Sequence, residues 1–198
     1  YVACGCGEFL CSRHQPYGKT SSTEAYPPDV QRCQETLLPL GIDFHAGDGK
    51  DALPFGDSEF DIVINRHGDF NVEEIYRVLK CGGIFITEQV GAENDRELVE
   101  LLLGKTKLPF PKQYLDIVHK QFHDTGFNIL DAQECFRPIK FFDIGALVWF
   151  AHIIEWEFPN FSVDYCKSSL LHAQRLLEQN GCIEGRIHRF LRVARKSK

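Results

Sequence analysis

Two short, mainly apolar segments constrain the fold of this chain more than any other feature of its sequence. They read FDIVIN at residues 60–65 and IFITEQV at residues 84–90, and a stretch with helical apolar spacing lies between them. Strands that are apolar on both faces are typical of parallel sheets, because helices cover both faces of such a sheet. A strand, a helix and a second parallel strand form a right-handed crossover. The sequence therefore predicts an α/β fold built on a parallel sheet.

The same alternation of strand and helix patterns runs through the first 90 residues, which indicates a doubly wound, Rossmann-like sheet. After residue 90 the pattern loosens, and an aromatic helix is predicted over residues 143–157. A chain of 198 residues has the length of one domain. We therefore expect a single domain over residues 1–198. Its expected core comprises residues 1–90, 116–140 and 183–198, and its expected helical lid comprises residues of about 91–115 and 143–180.

Charge and apolar runs limit the classes of partner. The net charge of −6 argues against broad electrostatic capture of nucleic acid or of an anionic membrane. A local basic patch is still an alternative, because Lys and Arg concentrate in the C-terminal segment GRIHRFLRVARKSK. No apolar run approaches the roughly 18 residues that a membrane-spanning helix needs. We therefore expect no membrane partner and do not favour nucleic acid.

The eight cysteines contain no C-x-x-C pair. Cys4, Cys6 and Cys11 lie close together but lack a matched second half, so we predict no metal site. Small buried thiols in a reducing compartment are the favoured interpretation, which predicts a cytoplasmic location. The chain contains no methionine, even at position 1, and we expect that it is truncated or processed at its N-terminus.

Glycines and polar residues follow the predicted strands. Ligands bind open parallel sheets beyond the carboxyl ends of the strands, so we expect a binding site there. The candidate residues at these ends are Cys4, Gly5, Cys6, Gly7, Glu24, Ala25, Gly47, Asp48, Gly49, Asn65 and Arg66.

The glycine turn and an acid at a fixed distance predict a nucleoside ligand. Glu24 stands 19 positions after Gly5, close to the spacing of about 20 at which an acid accepts ribose hydroxyls. The third glycine of the dinucleotide fingerprint is absent, which disfavours a pyrophosphate-bearing cofactor. Asp48 ends another predicted strand, where its carboxylate can accept from an exocyclic amino group. A nucleoside without phosphates fits this set, and S-adenosylmethionine is the common cofactor of that description.

Five segments together resemble the ordered motifs of class I S-adenosylmethionine-dependent methyltransferases, most closely the group of the ubiquinone and menaquinone C-methyltransferases. The resemblance implies a seven-stranded, mostly parallel sheet with the last strand antiparallel, S-adenosylmethionine as cofactor and S-adenosylhomocysteine as product. It covers residues 1–90 and the final strand. The segments are CGCGEFL, TEAY, FHAGDGKDALPFGDSEFDIVI, EEIYRVLKCGGIFI and HRFLRVARK.

The chain departs from this family at two positions. The family usually has an acid just before the glycine turn, where this chain has only Tyr1, Val2 and Ala3 nearby. Ala3 also replaces the first glycine of the usual G-x-G-x-G. These departures keep an inactive relative open as an alternative.

The segment NRHGDF is predicted to serve the methyl acceptor, which in this family usually sits beyond these strands. Asn65 and Arg66 are expected to contact the methionine part of the cofactor. His67 is a candidate general base, because imidazole titrates near neutral pH, and Asp69 is a candidate to orient it. The alternative is that Asp69 or Asn71 caps the next helix and His67 only packs in the loop.

The expected function is transfer of a methyl group to a small, partly apolar acceptor. One alternative is an RNA methyltransferase whose basic C-terminal strand binds the phosphates of the RNA. The other is a catalytically silent cofactor-binding subunit whose aromatic helix docks a partner. The same aromatic residues suit a homo-oligomer interface.

Overall fold

The structure is a computed structural model that describes residues 1–13 and 15–197. The strands are β1 (Ser21–Glu24), β2 (Asp43–Ala46), β3 (Phe60–Arg66), β4 (Leu79–Val90), β5 (Phe127–Phe141) and β6 (Ile183–Lys196). The α-helices are α1 (Glu8–Cys11), α2 (Pro27–Leu37), α3 (Val72–Val78), α4 (Arg96–Leu103), α5 (Leu115–Thr125), α6 (Ile144–Ile153) and α7 (Lys167–Asn180). Short 3₁₀ helices cover Tyr17–Lys19 and Leu38–Leu40.

The strands form a two-stranded sheet of β1 and β2 and a four-stranded sheet in the order β3-β4-β6-β5. The strands β1 and β2 are parallel, with Glu24 opposite Ala46. The strands β3 and β4 are also parallel, with Asn65 opposite Thr87. The parallel α/β architecture predicted from the two apolar segments is therefore confirmed. The carboxyl ends of each parallel pair lie side by side.

The N-terminal segment Tyr1–Cys4 lies between β1 and β3. The Val2 amide donates to the Ile64 carbonyl at 2.9 Å, and the Cys4 amide donates to the Thr23 carbonyl at 3.0 Å. The expectation of one seven-stranded sheet is wrong, because the described residues form six strands in two sheets. Val2 makes a single parallel bridge with β3, and the backbone of Ala3 then turns left-handed at φ 56°. A strand cannot continue through that conformation.

Local sequence signals explain where the elements beside the strand ends begin. Pro27 and Pro28 occupy the first turn of α2, where a missing N–H costs nothing. The Asn71 side chain caps α3 by accepting from the amides of Glu73 at 2.9 Å and Glu74 at 3.3 Å. Because β3 ends at Arg66 and the cap of α3 is Asn71, the loop between the strand and the cap comprises only residues 67–70.

The chain divides into two compact units. The first comprises Tyr1–Gln89, Leu115–Gln133 and Leu191–Lys198, and the second comprises Val90–Tyr114 and Glu134–Phe190. The expected core residues 134–140 and 183–190 thus belong to the second unit. The first unit buries a cluster under its N-terminal segment, consisting of Cys4, Leu10, Cys33, Leu37, Ile42 and Phe44.

The second unit contains α4, α6 and α7, which pack around a core that includes Leu98, Leu147 and Phe158. The aromatic helix is shorter than predicted and ends at Ile153. Its Trp149 side chain is 64% exposed, so one face of α6 is apolar and open. No helix within residues 1–13 and 15–197 has the length and apolar character that a membrane span requires.

Candidate cofactor site

Glu24 ends β1, and its carboxylate accepts three backbone hydrogen bonds. The Gly5 amide donates to Oε2 at 2.6 Å. The amides of Ala25 and Tyr26 both donate to Oε1 at 2.9 Å. The residue is only 7% exposed, so these bonds satisfy a carboxylate that burial would otherwise destabilise. The spacing of Gly5 and Glu24 in the sequence thus corresponds to a direct contact between the glycine turn and the acid.

The Gly5 peptide is held from its other side by a cysteine that the sequence did not single out. Cys33 on α2 donates from Sγ to the Gly5 carbonyl at 3.0 Å, and its sulfur lies 3.6 Å from that of Cys4. Burial raises the pKa of both thiols, so both stay protonated at neutral pH. Gly5 adopts φ 57° and Gly7 adopts φ 81°, which L side chains rarely tolerate. No spacing rule connects Cys33 with Gly5, because α2 brings them together only in the folded chain.

Two glycines that are hydrogen-bonded to Glu24 adjoin open space. A Cβ built on Gly5 or on Gly47 would meet no heavy atom within 4 Å. The Gly47 amide donates to the Glu24 carbonyl at 2.9 Å, so both glycines are tied to Glu24. A Cβ on Gly7 would instead meet the Leu37 side chain at 3.0 Å. The Cβ positions of Gly5 and Gly47 therefore face open space, whereas Gly7 serves close packing inside the unit.

Close backbone approaches hold the loops that follow β2 and β3 against the N-terminal segment. A Cβ on Gly49 would collide with the Asp69 carbonyl oxygen, and one on Gly68 would collide with the Ala3 Cβ. Neither site has room for a side chain. Asp48 is exposed between these contacts, and its Oδ1 accepts from the Lys50 amide at 3.0 Å.

Asn65, predicted to contact the cofactor, lies inside a buried polar network. Its Nδ2 donates to the Val2 carbonyl at 3.1 Å. Its Oδ1 accepts from Thr87 Oγ1 at 3.0 Å and from Gln89 Nε2 at 2.5 Å. The side chain is 1% exposed and links the N-terminal segment to β3 and β4. This geometry assigns Asn65 a structural contribution, and its contact with cofactor stays a prediction.

Arg66 and His67 both meet Glu88 at the end of β4. Arg66 Nε lies 3.6 Å from Glu88 Oε2, and His67 Nε2 lies 3.1 Å from Glu88 Oε1. The His67 amide also donates to the Glu88 carbonyl at 2.9 Å. His67 has φ 58°, an uncommon conformation for a residue of its size. Glu88 is a polar strand-end residue to which the sequence assigned no role.

Asp69 forms an ion pair with Lys50, whose Nζ lies 2.6 Å from Asp69 Oδ2. The Glu88 carboxylate lies within hydrogen-bond distance of the His67 ring. The pairing of Asp69 with His67 stays a prediction. Asn71, the alternative interpretation of this loop, does cap α3.

A second set of buried polar residues lies in the second unit, where the sequence indicated none. Asp95 is 1% exposed and Glu157 is 2% exposed. Neither Asp95 Oδ1 nor Glu157 Oε2 has a hydrogen-bond partner. Burial raises the pKa of Asp95 to about 6, and burial together with the nearby Asp95 charge raises that of Glu157 to about 7. No sequence signal separates these two acids from the exposed ones.

The residues of the first unit fit the adenosyl part of S-adenosylmethionine. A ribose needs an acceptor for its hydroxyls, and Glu24 supplies a carboxylate beside the glycine turn at Gly5. The exposed Asp48 can accept from the amino group of a base. Among residues 1–13 and 15–197 no group of three His, Cys, Asp or Glu side chains is arranged to hold a metal ion.

Comparisons with known proteins bear on the family and the fold. Residues 1–87 match the family model described as a methyltransferase domain. No curated protein sequence matches the chain significantly.

Solved structures resemble the chain over its whole length. The YcgJ protein from Bacillus subtilis has a TM-score of 0.66 and 21% identity, over 100% of this chain and 90% of that one. A candidate methyltransferase from Bacillus halodurans C-125 has a TM-score of 0.65 and 16% identity, over 100% and 91%. Phosphoethanolamine N-methyltransferase 2 of Haemonchus contortus, solved with phosphomonomethylethanolamine and S-adenosylhomocysteine, has a TM-score of 0.54 and 14% identity, over 100% and 48%. The chain thus has the α/β fold of these structures, and its residues 1–87 match the methyltransferase domain.

Proposed function

We propose that this chain is an S-adenosylmethionine-dependent methyltransferase that acts on a small, partly apolar acceptor. The observation that carries the proposal is the buried Glu24, bonded to Gly5 through its carboxylate and to Gly47 through its carbonyl, within residues that match a methyltransferase domain. When bound, S-adenosylmethionine supplies a methyl group activated on a sulfonium. The motifs favour a relative of the ubiquinone and menaquinone C-methyltransferases. The protonated thiols Cys4 and Cys33 suit the reducing cytoplasm in which we expect the protein to act.

In this proposal, residues at different strand ends of the first unit bind different parts of the cofactor. Glu24 accepts from the ribose and Asp48 accepts from the amino group of the base. Arg66 is a partner for the cofactor carboxylate, because its side chain is 43% exposed and its contact with Glu88 is long, at 3.6 Å. Rigid placement of the methyl donor beside the acceptor supplies much of the rate in such a transfer.

His67 is the proposed general base for an acceptor that must lose a proton. Glu88 Oε1, at 3.1 Å from Nε2, is positioned to orient its ring, and Asp69 stays a second candidate for that role. A His67→Ala variant should lower turnover of an identified acceptor by about 10²-fold or more, with S-adenosylhomocysteine affinity unchanged. Single-turnover kinetics would measure this effect. Turnover equal to that of the unaltered protein would refute the base role and leave His67 as a packing residue.

Exposed aromatic residues in the second unit support an alternative, a catalytically silent subunit that docks a partner or a second copy. Trp149 is 64% exposed, Trp156 is 59% exposed and Tyr165 is 75% exposed. Aromatic side chains of this kind are enriched at protein interfaces. They equally suit a flat apolar acceptor, so a methyl-transfer assay separates the two alternatives. An RNA acceptor would instead show a steep loss of affinity as the salt concentration rises.

The cofactor assignment is tested by S-adenosylhomocysteine binding, measured by calorimetry and by thermal shift. The unaltered protein should bind and be stabilised, and Glu24→Ala should lose at least about 10-fold in affinity because a charged acceptor disappears. Glu35→Gln is the matched control, since Glu35 is an exposed acid on the neighbouring α2. Because Glu24 also holds three amides, each variant's far-ultraviolet circular dichroism must match that of the unaltered protein. Equal binding by Glu24→Ala would contradict the ribose role.

A further inference from the structure

A cavity in the first unit lies away from the candidate cofactor site. It has a volume of about 450 Å³, which is within the range of small-molecule sites in proteins. It lies where β4 and β5 begin and where β6 ends. Gly82 stands six positions before Glu88 on β4, so roughly 20 Å of strand separates the cavity from the carboxyl end. The lining residues are Gly82, Ile84, Asn128, Arg195, Lys196 and Ser197.

Contacts with the start of β4 fix the end of β6 at this cavity. Lys196 Nζ donates to the Leu79 carbonyl at 2.7 Å. The Cys81 sulfur lies 3.8 Å from the Ser197 carbonyl oxygen. Arg195 directly precedes these two anchored residues of β6. The backbone that carries its guanidinium is therefore held in place before any ligand arrives.

Arg195 carries a positive charge that the protein does not pair. Within the described part of the chain, no hydrogen bond or ion pair engages its exposed side chain. Two other cations beside the start of β4 are already paired. Arg77 lies 2.8 Å from Asp57, and Lys80 lies 2.8 Å from Asp61. A guanidinium without a partner can bind an oxyanion through two N–H groups at once, so Arg195 is suited to an anionic ligand.

The other lining residues add two donors and an apolar wall. The Asn128 amide and the Ser197 hydroxyl can both donate. Ile84 is apolar and half-buried. A Cβ on Gly82 would meet no heavy atom within 4 Å, so the cavity is open above this backbone. Together with Arg195 these residues offer three donor groups, which matches the three terminal oxygens of a phosphate monoester.

From these features we infer that the cavity binds a small phosphate monoester, with Arg195 as the main partner of the phosphate. Ile84 contacts the apolar body of the ligand. A carboxylate would leave one of the three donor groups unused. A nucleic acid strand is disfavoured because several cations hold such strands, whereas of the two lining cations, Arg195 and Lys196, only Arg195 lacks a partner. This second site goes beyond the proposed function and does not depend on cofactor binding.

The test titrates the unaltered, ¹⁵N-labelled protein with phenyl phosphate, benzoate and a uridine RNA hexamer, followed by NMR. Phenyl phosphate should cause saturable shifts of the amide signals of Gly82, Ile84 and Asn128. The signals of Gly5 and Gly47 should stay unchanged. Benzoate should bind at least about threefold more weakly, the effect of one lost hydrogen bond. Saturating S-adenosylhomocysteine should leave the affinity for phenyl phosphate within about twofold.

Two variants with matched controls remove the guanidinium or fill the cavity. Arg195→Gln should weaken phenyl phosphate binding at least about 10-fold, because a charged donor disappears. Arg137→Gln removes an exposed arginine of β5 outside the lining set and should have no effect. Gly82→Asn should also weaken binding, because asparagine tolerates φ 79° and places a side chain in the open space. Gly41→Asn is its control, with φ 80° and the same open surroundings away from the cavity.

Each contrary outcome overturns the inference in a recognisable way. Absence of saturable shifts, or equal affinity of Arg195→Gln and the unaltered protein, would show that the cavity is not a phosphate site. Benzoate binding as tight as that of phenyl phosphate would contradict the choice of phosphate. Tighter binding of the RNA hexamer, with a steep salt dependence, would assign the surface to nucleic acid instead. Failure of S-adenosylhomocysteine to bind would overturn the proposed function and leave this inference standing.

Discussion

Ala3 occupies a backbone conformation that favours glycine, with φ 56°. In the family that the N-terminal motifs resemble, glycine usually stands at this position. A left-handed conformation costs an L-residue about 1–2 kcal/mol, whereas glycine adopts it freely. Ala3 therefore keeps the shape of the turn at some expense of stability. Alanine in place of glycine at position 3 therefore raises the energy of the turn but leaves its backbone conformation unchanged.

Replacing Ala3 with glycine should stabilise the protein by about 0.5–1 kcal/mol. The relief of the left-handed strain exceeds the extra entropy that glycine loses on folding. Urea denaturation midpoints would measure the change. Ala132→Gly is the matched control, because Ala132 lies exposed within strand β5 and glycine there should destabilise. Equal destabilisation by both substitutions would show that Ala3 carries no strain.

At the scale of the elements, apolar patterning predicts the strands well and their ends poorly. Both strands anticipated at residues 60–65 and 84–90 form, but β4 begins earlier, at Leu79. Gly82 and Gly83 follow a helical pattern, where glycine commonly marks a helix end, but they lie within β4. A Cβ on Gly83 would meet the Lys80 carbonyl oxygen at 2.8 Å. Glycine is therefore required here because another part of the backbone lies too close for a side chain. Patterning alone cannot distinguish that requirement from a helix stop.

In the segments after the strands, features that depend on nearby residues can be predicted from the sequence, whereas features that depend on distant residues cannot. Asn71 is recognisable as a helix cap, because a cap depends only on residues two or three positions away. The Asn65 network depends on residues far apart in sequence, including Val2 and Gln89. Buried networks of this kind are satisfied only when every partner is in place. We could anticipate the first from the sequence and not the second.

At the scale of the whole molecule, two buried acids make stability depend on pH. Burial raises the pKa of Asp95 to about 6 and that of Glu157 to about 7, above the values near 4 expected in the unfolded chain. The folded state therefore binds more protons than the unfolded state between about pH 4 and 7. The stability that these two acids contribute is fully present below about pH 4. It is lost as the pH rises through 7. Asn94, Arg96, Glu97 and Arg189 also act on this pair.

A Glu157→Gln variant should lose most of this decline and be roughly 2–3 kcal/mol more stable than the unaltered protein at pH 8. The reason is that an amide stays neutral where the carboxylate would be ionised and buried. Thermal unfolding followed from pH 5 to pH 8 would measure the effect, with Glu155→Gln, an exposed neighbouring acid, as control. A pH profile that is unchanged in Glu157→Gln would exclude Glu157 as the source.

The sequence by itself determined the alternation of strands and helices, the position of the glycine turn and the acid that follows it. These depend on the chemistry of neighbouring residues and on a repeating spacing, which the chain carries whether or not it is folded. Only the tertiary structure decided that Cys33 holds Gly5, that Glu88 contacts His67, and that the sheet is interrupted after Val2. Those outcomes depend on which distant side chains share one space, and on a backbone angle at Ala3 that no pattern of residue types encodes.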